Sequence, residues 1–297
     1  MLKTVESPCP GDTRQRLRQR IARRDAFLLP GAANALTARI AGDLGFEAVY
    51  LTGAGFTNMQ LGMPDLGLLS VTELAEAAAR ISDVTTIPLV VDIDTGFGNA
   101  LNVYRTVHLL ERAGAAALQI EDQIFPKKCG HFSGKGVVPL PEMLSKLHAA
   151  LDARRDDGTL IIARTDARAV EGFDRALERA HAMTEAGADI IFVEAPESVE
   201  EMRQIGQLPA PQLVNVVMGG RTPMLPREEL ADMGFSIALY ANAALQAMVL
   251  AAQEVLGSLR DVGSLDKVED RLASFSERQR IVGKPDFDAL EARYRGA

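Results

Sequence analysis

Cysteine is almost absent: two residues, Cys9 and Cys129, in a chain of 297. They stand far apart in unlike contexts. That excludes a domain stapled by disulfides and leads to the expectation of a reduced, cytoplasmic protein. Histidine is scarce too, with four residues and no His/Cys grouping at ligand spacing, so a zinc site is not expected. No apolar run is long enough to cross a bilayer; the longest, around Ala243–Ala252, contains Gln246. Met1–Arg24 turns arginine-rich and lacks the apolar stretch of a secretion signal. Basic charge is in deficit: 32 Lys and Arg against 40 Asp and Glu leave −8, which argues against nucleic acid and anionic membranes as partners. Low-complexity segments and short repeats are missing as well. Residues 1–297 are therefore expected to form a single domain, with 1–12 as a flexible tail and 258–297 as C-terminal helices for oligomer packing.

What is present is a regular alternation. Short Val/Ile/Leu-rich runs occur at Phe27–Pro30, Ala48–Thr52, Leu89–Ile93, Ala117–Glu121, Leu160–Arg164, Ile190–Glu194, Leu213–Val217 and Ile237–Tyr240. Their apolar residues are continuous rather than alternating, as in strands buried on both faces of a parallel sheet. Helical patterns separate them, and several end in a glycine step before the next strand, such as Gly45-Phe46, Gly114-Ala115, Gly187-Ala188 and Gly234-Phe235. Eight such units predict an α/β fold, a closed (β/α)₈ TIM-type barrel, in preference to an open doubly wound sheet. Thr13–Arg24 reads as an extra N-terminal helix, and Lys267–Arg280 and Asp286–Arg295 as extra C-terminal helices that cap the barrel or pack on another subunit.

Barrels of this type place their sites at the C-terminal ends of the strands. In order, those ends carry Tyr50 to Ala54, Asp92 and Asp94, Glu121 and Asp122, Arg164 to Asp166, Glu194 and Asn215. Several converging carboxylates repel unless a cation sits among them. Asp92 and Asp94, two apart in an extended segment, face the same way, and Glu121 adds a third hard oxygen donor, a set suited to Mg²⁺. The alternative is that the two aspartates cap the helix that follows Thr95 to Asn99. Beyond Glu121 runs a loop with Lys127, Lys128, Cys129, Gly130 and His131. Neighbouring cations lower a thiol pKa and glycines permit motion, so this segment reads as a mobile lid carrying a reactive cysteine. Otherwise Cys129 is incidental and the lysines are solvated. Arg164, at the end of a buried run, suits an anion held bidentately, or an ion pair with Glu194 or Asp166.

Taken together, Tyr50-Leu51-Thr52-Gly53-Ala54, Pro64-Asp65-Leu66-Gly67, Asp92-Ile93-Asp94-Thr95-Gly96-Phe97-Gly98, Glu121-Asp122-Gln123, Lys127-Lys128-Cys129-Gly130-His131, Ala163-Arg164-Thr165-Asp166-Ala167 and Glu194-Ala195 resemble the isocitrate lyase/phosphoenolpyruvate mutase superfamily. The likeness runs from about residue 13 to the C-terminus.

The resemblance implies a Mg²⁺-dependent enzyme (Mn²⁺ as the alternative ion) acting on a small carboxylic acid. In its terms Asp92 ligates the metal directly, while Asp94, Glu121 and Asp65 orient its waters. Thr52, Gly53 and Ala54 hold the carboxylate of a pyruvate-like fragment, with Gly130 and Asn215 completing the substrate pocket. Cys129, Arg164, Tyr50, Lys127, His131 and Glu194 form the catalytic group. It also implies a homotetramer that exchanges a C-terminal helix between neighbours.

The expected reaction is a retro-aldol cleavage of a 2-hydroxy di- or tricarboxylic acid to a 2-oxo acid plus a carboxylate. Cys129 serves as the acid and Tyr50 as a candidate base. Oxaloacetate hydrolysis or decarboxylation and a phosphonomutase reaction remain as alternatives, and a catalytically inactive metabolite-binding barrel as a non-enzymatic one. Phe132 stands where methylisocitrate lyases carry arginine, and Met218 where glutamate is usual. These departures favour a malate with apolar substituents over a tricarboxylate.

Overall fold

The computed structural model describes residues 10–128, 130 and 134–295. Among them, eight parallel strands close into a barrel in sequence order, with β1 pairing β8. The strands are β1 Phe27–Ala32, β2 Val49–Leu51, β3 Leu89–Asp92, β4 Ala115–Glu121, β5 Leu160–Thr165, β6 Ile190–Val193, β7 Gln212–Asn215 and β8 Phe235–Tyr240. Helix α1, Pro10–Ile21, precedes the barrel; α2, Ala35–Asp43, follows β1. After β2 come a short α3, Gly53–Phe56, a π-turn at Thr57–Leu61 and α4, Val71–Ser82. The outer ring continues with α5 Ala100–Arg112, α6 Leu140–Asp152, α7 Ala167–Val170, α8 Phe173–Glu185, α9 Val199–Gly206 and α10 Arg227–Met233. The chain finishes with α11 Ala243–Val262, α12 Phe275–Ile281 and α13 Lys284–Arg295.

Side chains alternate across a strand, so each strand divides its residues between the inside of the barrel and the helices. Two apolar clusters record that division. Phe27, Leu29, Tyr50, Val90, Ala117, Ile162, Phe192, Leu213 and Leu239 belong to the inner one, where Leu17 and Ile21 of α1 join them. Leu51, Val91, Leu118, Ile161, Ile191 and Val214 belong to the outer one, with Leu74, Val107, Leu147 and Met183 from the surrounding helices. Continuing each inward column towards the C-terminal end changes its chemistry. Val90 leads to Asp92, Gln119 to Glu121, Ile162 to Arg164, Phe192 to Glu194 and Leu213 to Asn215. The polar residues of the strand ends are therefore the top layer of the barrel interior, two residues above apolar ones except for Glu121, which stands above the buried Gln119.

The periphery departs from expectation in four places. Residues 10–12 belong to α1 rather than to a tail. Strands β4 and β8 begin two residues early, at Ala115 and Phe235, directly after their glycine steps. Helix α11 runs from 243 to 262, across the boundary expected at 258. The stretch 267–280 holds only a 3₁₀ turn, Glu269–Arg271, before α12 begins.

Candidate functional site

Asp92 closes β3, and the chain then leaves the strand. Asp94 adopts φ +48°, a left-handed conformation that aspartate tolerates better than most residues. The two carboxylates still share an opening, although not by strand alternation: a Cβ at Gly53 would lie 3.4 Å from Asp92 Oδ2 and 3.1 Å from Asp94 Oδ1. Two donors hold Asp92 Oδ1, the Asp94 backbone N–H at 3.1 Å and the Gln119 amide at 3.4 Å. Helix capping is not their role. Asn99 caps α5, accepting from the backbone of Leu101 and Asn102.

Lys127 is buried, at 4% exposure. Its ammonium lies 2.5 Å from Asp65 and 2.7 Å from Asp94. Burial opposes its charge, but Asp94, Glu121, Asp92 and Asp65 outweigh that and hold its pKa above the usual ammonium range. Lys127 is thus no solvated loop charge. Lys128 is half-buried, and Gln123 brackets its backbone, accepting from its N–H at 2.9 Å and donating to its carbonyl at 2.8 Å.

Arg164 faces three carboxylates. Its Nε lies 2.8 Å from Asp166 and 3.2 Å from Glu121, and an NH₂ group lies 3.6 Å from Glu194. The guanidinium also stands over the Phe192 ring at 5.2 Å. Gly130 presses against this group: a Cβ there would sit 2.5 Å from Arg164 and 2.6 Å from Glu194, so only glycine fits.

Burial pushes the Asp94 carboxyl up to about 7, with Asp92 and Asp65 adding to the effect and Lys127 opposing it. Burial likewise lifts Glu121 well above the carboxylate range despite Arg164. Glu121 Oε1 has no hydrogen-bond partner among the described residues. Tyr50 is fully buried, and burial, with the nearby Asp92 charge next, drives its phenol well above its ordinary value.

These groups surround a cavity of about 240 Å³ at the mouth of the barrel. Tyr50, Thr52, Ala54, Asp65, Asp92, Glu121, Lys127, Gly130, Arg164, Glu194 and Asn215 all line it. Gly53 and Asp94 stand just behind. Thr52 caps α3 by accepting from Gly55 N–H, and its hydroxyl donates to Asn242 at 3.4 Å. Cys129 and His131 lie outside the described residues, as does Phe132. The cavity also uses residues that the sequence reading passed over: Phe192, Val217, Leu239, Ala241 and Asn242. Phe192 and Leu239 were legible in principle, being inward residues one layer below the strand ends. Met218 is 68% exposed and does not line the cavity.

Among the described residues no group of three or more Asp, Glu, His or Cys is close enough to hold a metal ion by itself. The described residues therefore form no all-protein cage. That suits an ion of the Mg²⁺ kind, which takes one or two carboxylates and keeps waters and substrate oxygens. Asp92 at the cavity wall and the unpartnered Glu121 oxygen supply such a donor set.

A family profile described as phosphoenolpyruvate phosphomutase matches residues 17–260. A 2,3-dimethylmalate lyase of Eubacterium barkeri is 43% identical over 284 residues, covering 95% of this chain and 98% of the relative. A 2-methylisocitrate lyase of Aeropyrum pernix is 45% identical over 277 residues, 93% of this chain and 89% of the relative. Among solved structures, oxaloacetate acetylhydrolase with 3,3-difluorooxalacetate superposes with TM-score 0.89 at 35% identity, over 97% of this chain and 98% of that one. Phosphonopyruvate hydrolase with oxalate and Mg²⁺ gives 0.84 at 33%, over 95% and 99%.

Proposed function

Because the chain belongs to the isocitrate lyase/phosphoenolpyruvate mutase superfamily, we propose that it is a divalent-metal-dependent carbon–carbon lyase. Its substrate would be a substituted malate, cleaved to a 2-oxo acid and a carboxylate. The observation that carries this reading is the polar layer on the barrel interior, where Asp92, Glu121, Arg164 and Glu194 meet around one cavity.

Asp92 would hold Mg²⁺, or Mn²⁺ in its place, with Glu121, Asp94 and Asp65 reaching it through water. Bound there, the ion supplies Lewis-acid stabilisation of negative charge on the 2-oxo fragment. The chain's own groups do the rest. Thr52 and the backbone at Gly53 and Ala54 receive the carboxylate, Glu194 on the cavity wall takes the 2-hydroxyl proton, Arg164 faces the oxygen as it loses that proton, and Asn215 orients the fragment. Lys127 keeps Asp65 and Asp94 compensated. Tyr50 is unsuited to be the base, since its raised pKa keeps the phenol protonated; it serves as a hydrogen-bond donor to Asp92. As the carbon–carbon bond breaks, the leaving carbanion takes a proton from the Cys129 thiol. Cys129 follows Lys128 and precedes Gly130, both on the cavity wall, and its cationic neighbours favour that chemistry. His131 belongs to the same segment.

Phe192, Val217, Leu239 and Ala241 give the cavity an apolar side. Of the cations on the cavity wall, Lys127 and Arg164 already face carboxylates and Lys128 turns its ammonium to the Gly134 carbonyl, which argues against a third carboxylate of the substrate. Apolar-substituted malates are therefore favoured over tricarboxylates. The assay is cleavage of a panel of substituted malates, methylisocitrate and oxaloacetate, with Mg²⁺ and with chelator. A 2-oxo acid plus a carboxylate, formed only with metal, is expected. Oxalate plus acetate would instead make the chain a hydrolase, and turnover unaffected by chelator would end the metal assignment.

The same proposal includes a homotetramer with an exchanged C-terminal helix, in the cytoplasm. Helix α11 has no buried residue among those described and exposes Met248, Leu250 and Leu256. Beside it lies an apolar groove of about 300 Å³ walled by Leu36, Ile40, Met59, Leu245 and Met248. No helix among the described residues is long and apolar enough to cross a membrane.

A further inference from the structure

Lys135 is a lysine that neither strand-end logic nor metal chemistry calls for. Its side chain is 2% exposed, and its ammonium lies 2.5 Å from the Gly130 carbonyl and 2.5 Å from Asp166 Oδ1. Asp166 is fully buried and receives Arg164 on both oxygens, Nε at 2.8 Å and an NH₂ group at 3.2 Å. Its backbone N–H donates to Asp122 at 2.9 Å, so the residue is fixed at backbone and carboxylate alike. A buried ammonium on a glycine-rich loop loses both hydration and rotamer freedom, and a structural latch for that loop could be made more cheaply by a neutral donor.

The charges around Arg164 give the reason. Asp166, Glu121 and Glu194 all lie within 4 Å of one guanidinium. Alone, that group is an excess of negative charge and a poor receiver for an anion. Placing a second cation on Asp166 changes the balance.

We propose that Lys135 is a positioning residue for anion binding: its ammonium compensates one of the three carboxylates that Arg164 faces, so that more of the guanidinium's charge is open to a carboxylate in the cavity, and at the same time it anchors the Gly130 carbonyl against Arg164. The two functions are separable in principle. A Cβ at Gly130 would crowd Arg164 and Glu194, and the Lys135 ammonium donates to its carbonyl. Asp166 needs a charge, not merely a donor. Both Arg164 and Lys135 favour the ionised form of Asp166, against the burial that opposes it. The inference rests on the cavity being a carboxylate site, as read above, but not on which bond is cleaved there.

The test is calorimetric binding of oxalate to the Mg²⁺-loaded protein, comparing wild type with Lys135→Gln, Lys135→Met and Lys135→Arg. Glutamine can still donate to the Gly130 carbonyl but brings no charge. Removing a partner of a site's inner residues typically weakens it about 10–100-fold. Lys135→Gln and Lys135→Met should both fall in that range, and Lys135→Arg should stay closest to wild type. Binding stoichiometry counts folded molecules, so a folding defect lowers the number of sites rather than the affinity. Wild-type affinity in Lys135→Gln would reduce the residue to a backbone tether and overturn the charge assignment. Wild-type affinity in Lys135→Met, or no oxalate binding by wild type, would overturn the whole inference. Absence of lyase turnover with oxalate binding intact would count against the proposed reaction and leave this comparison standing.

Discussion

The two ends of the barrel are built from the same strands and solve opposite problems. At the N-terminal end, Leu17 and Ile21 of α1 seal the interior. Arg14 donates to Ala115 O, Glu111 O and Asp156, while the buried Glu111 carboxylate accepts from the backbone of Arg155 and Asp156 and from Thr159. At the C-terminal end, Glu121 and Asn215 keep side-chain oxygens without hydrogen-bond partners among the described residues, and carboxylates outnumber cations. Neutral oxygens without such partners occur at the N-terminal end too, at Ser82, Gln212 and Ser236; what sets the C-terminal end apart is an orphaned carboxylate oxygen, on Glu121, among an excess of carboxylates, and that marks where a ligand must finish the structure. One end is closed by its own atoms, and the other is left to be closed by something else.

The comparison breaks most sharply with Cys129→Ser. A positioned acid contributes about 10²–10⁴-fold to rate, so turnover should fall by that much with the unfolding midpoint unchanged. Full turnover would remove the acid role. Leu17→Ala is the mirror experiment. Truncating a buried leucine costs about 2–5 kcal/mol, read as a lower denaturation midpoint, whereas kcat/KM of the folded fraction should hold. Matching losses of stability and kcat/KM in that variant would mean that the ends are coupled.

A third measurement asks what closes the open end. Mg²⁺ at about a hundred times its Kd should stabilise the wild type by about 2.7 kcal/mol, seen as a thermal shift. Asp92→Asn should abolish the shift while leaving the metal-free midpoint near that of wild type. An equal shift in Asp92→Asn would place the ion elsewhere.

Much of this architecture was readable before any coordinates. Eight apolar runs, most separated by amphipathic helices that stop at glycines, specify a barrel, and the barrel predicts where its polar residues must gather. Thr52, Asp92, Glu121, Arg164, Glu194 and Asn215 were found by that route. Less legible were features set by contacts between distant loops. Nothing local in Asp65 or Lys127 announces a pair across 62 residues. Asp94 reaches the opening by a left-handed turn that a strand-alternation argument cannot foresee. Lys135 looks like any loop lysine until Asp166 and Gly130 are placed beside it. Helix α11 buries no residue in the single chain among those described, so its boundary could not be found from a face packed on the barrel.

The smallest effect lies at the sealed end, where the comparison can be sharpened by pH. Arg14 donates to Asp156 at 2.8 Å and holds its carboxyl below the usual range, assisted by the Gly158 backbone N–H. A depressed carboxyl contributes stability that is present above its unfolded pKa, near 3.9, and is lost as pH falls through the folded value. With the Asp156 side chain 37% exposed, solvent screens the pair, and Asp156→Asn should be destabilised by less than about 1 kcal/mol at neutral pH. The two unfolding curves should converge as pH falls from the unfolded value through the folded one, and salt should narrow the gap at every pH above that. Lyase turnover should not distinguish the two proteins, because Asp156 stands at the end of the barrel that its own atoms already close. A gap that persisted in acid would show that the pair acts through packing rather than charge.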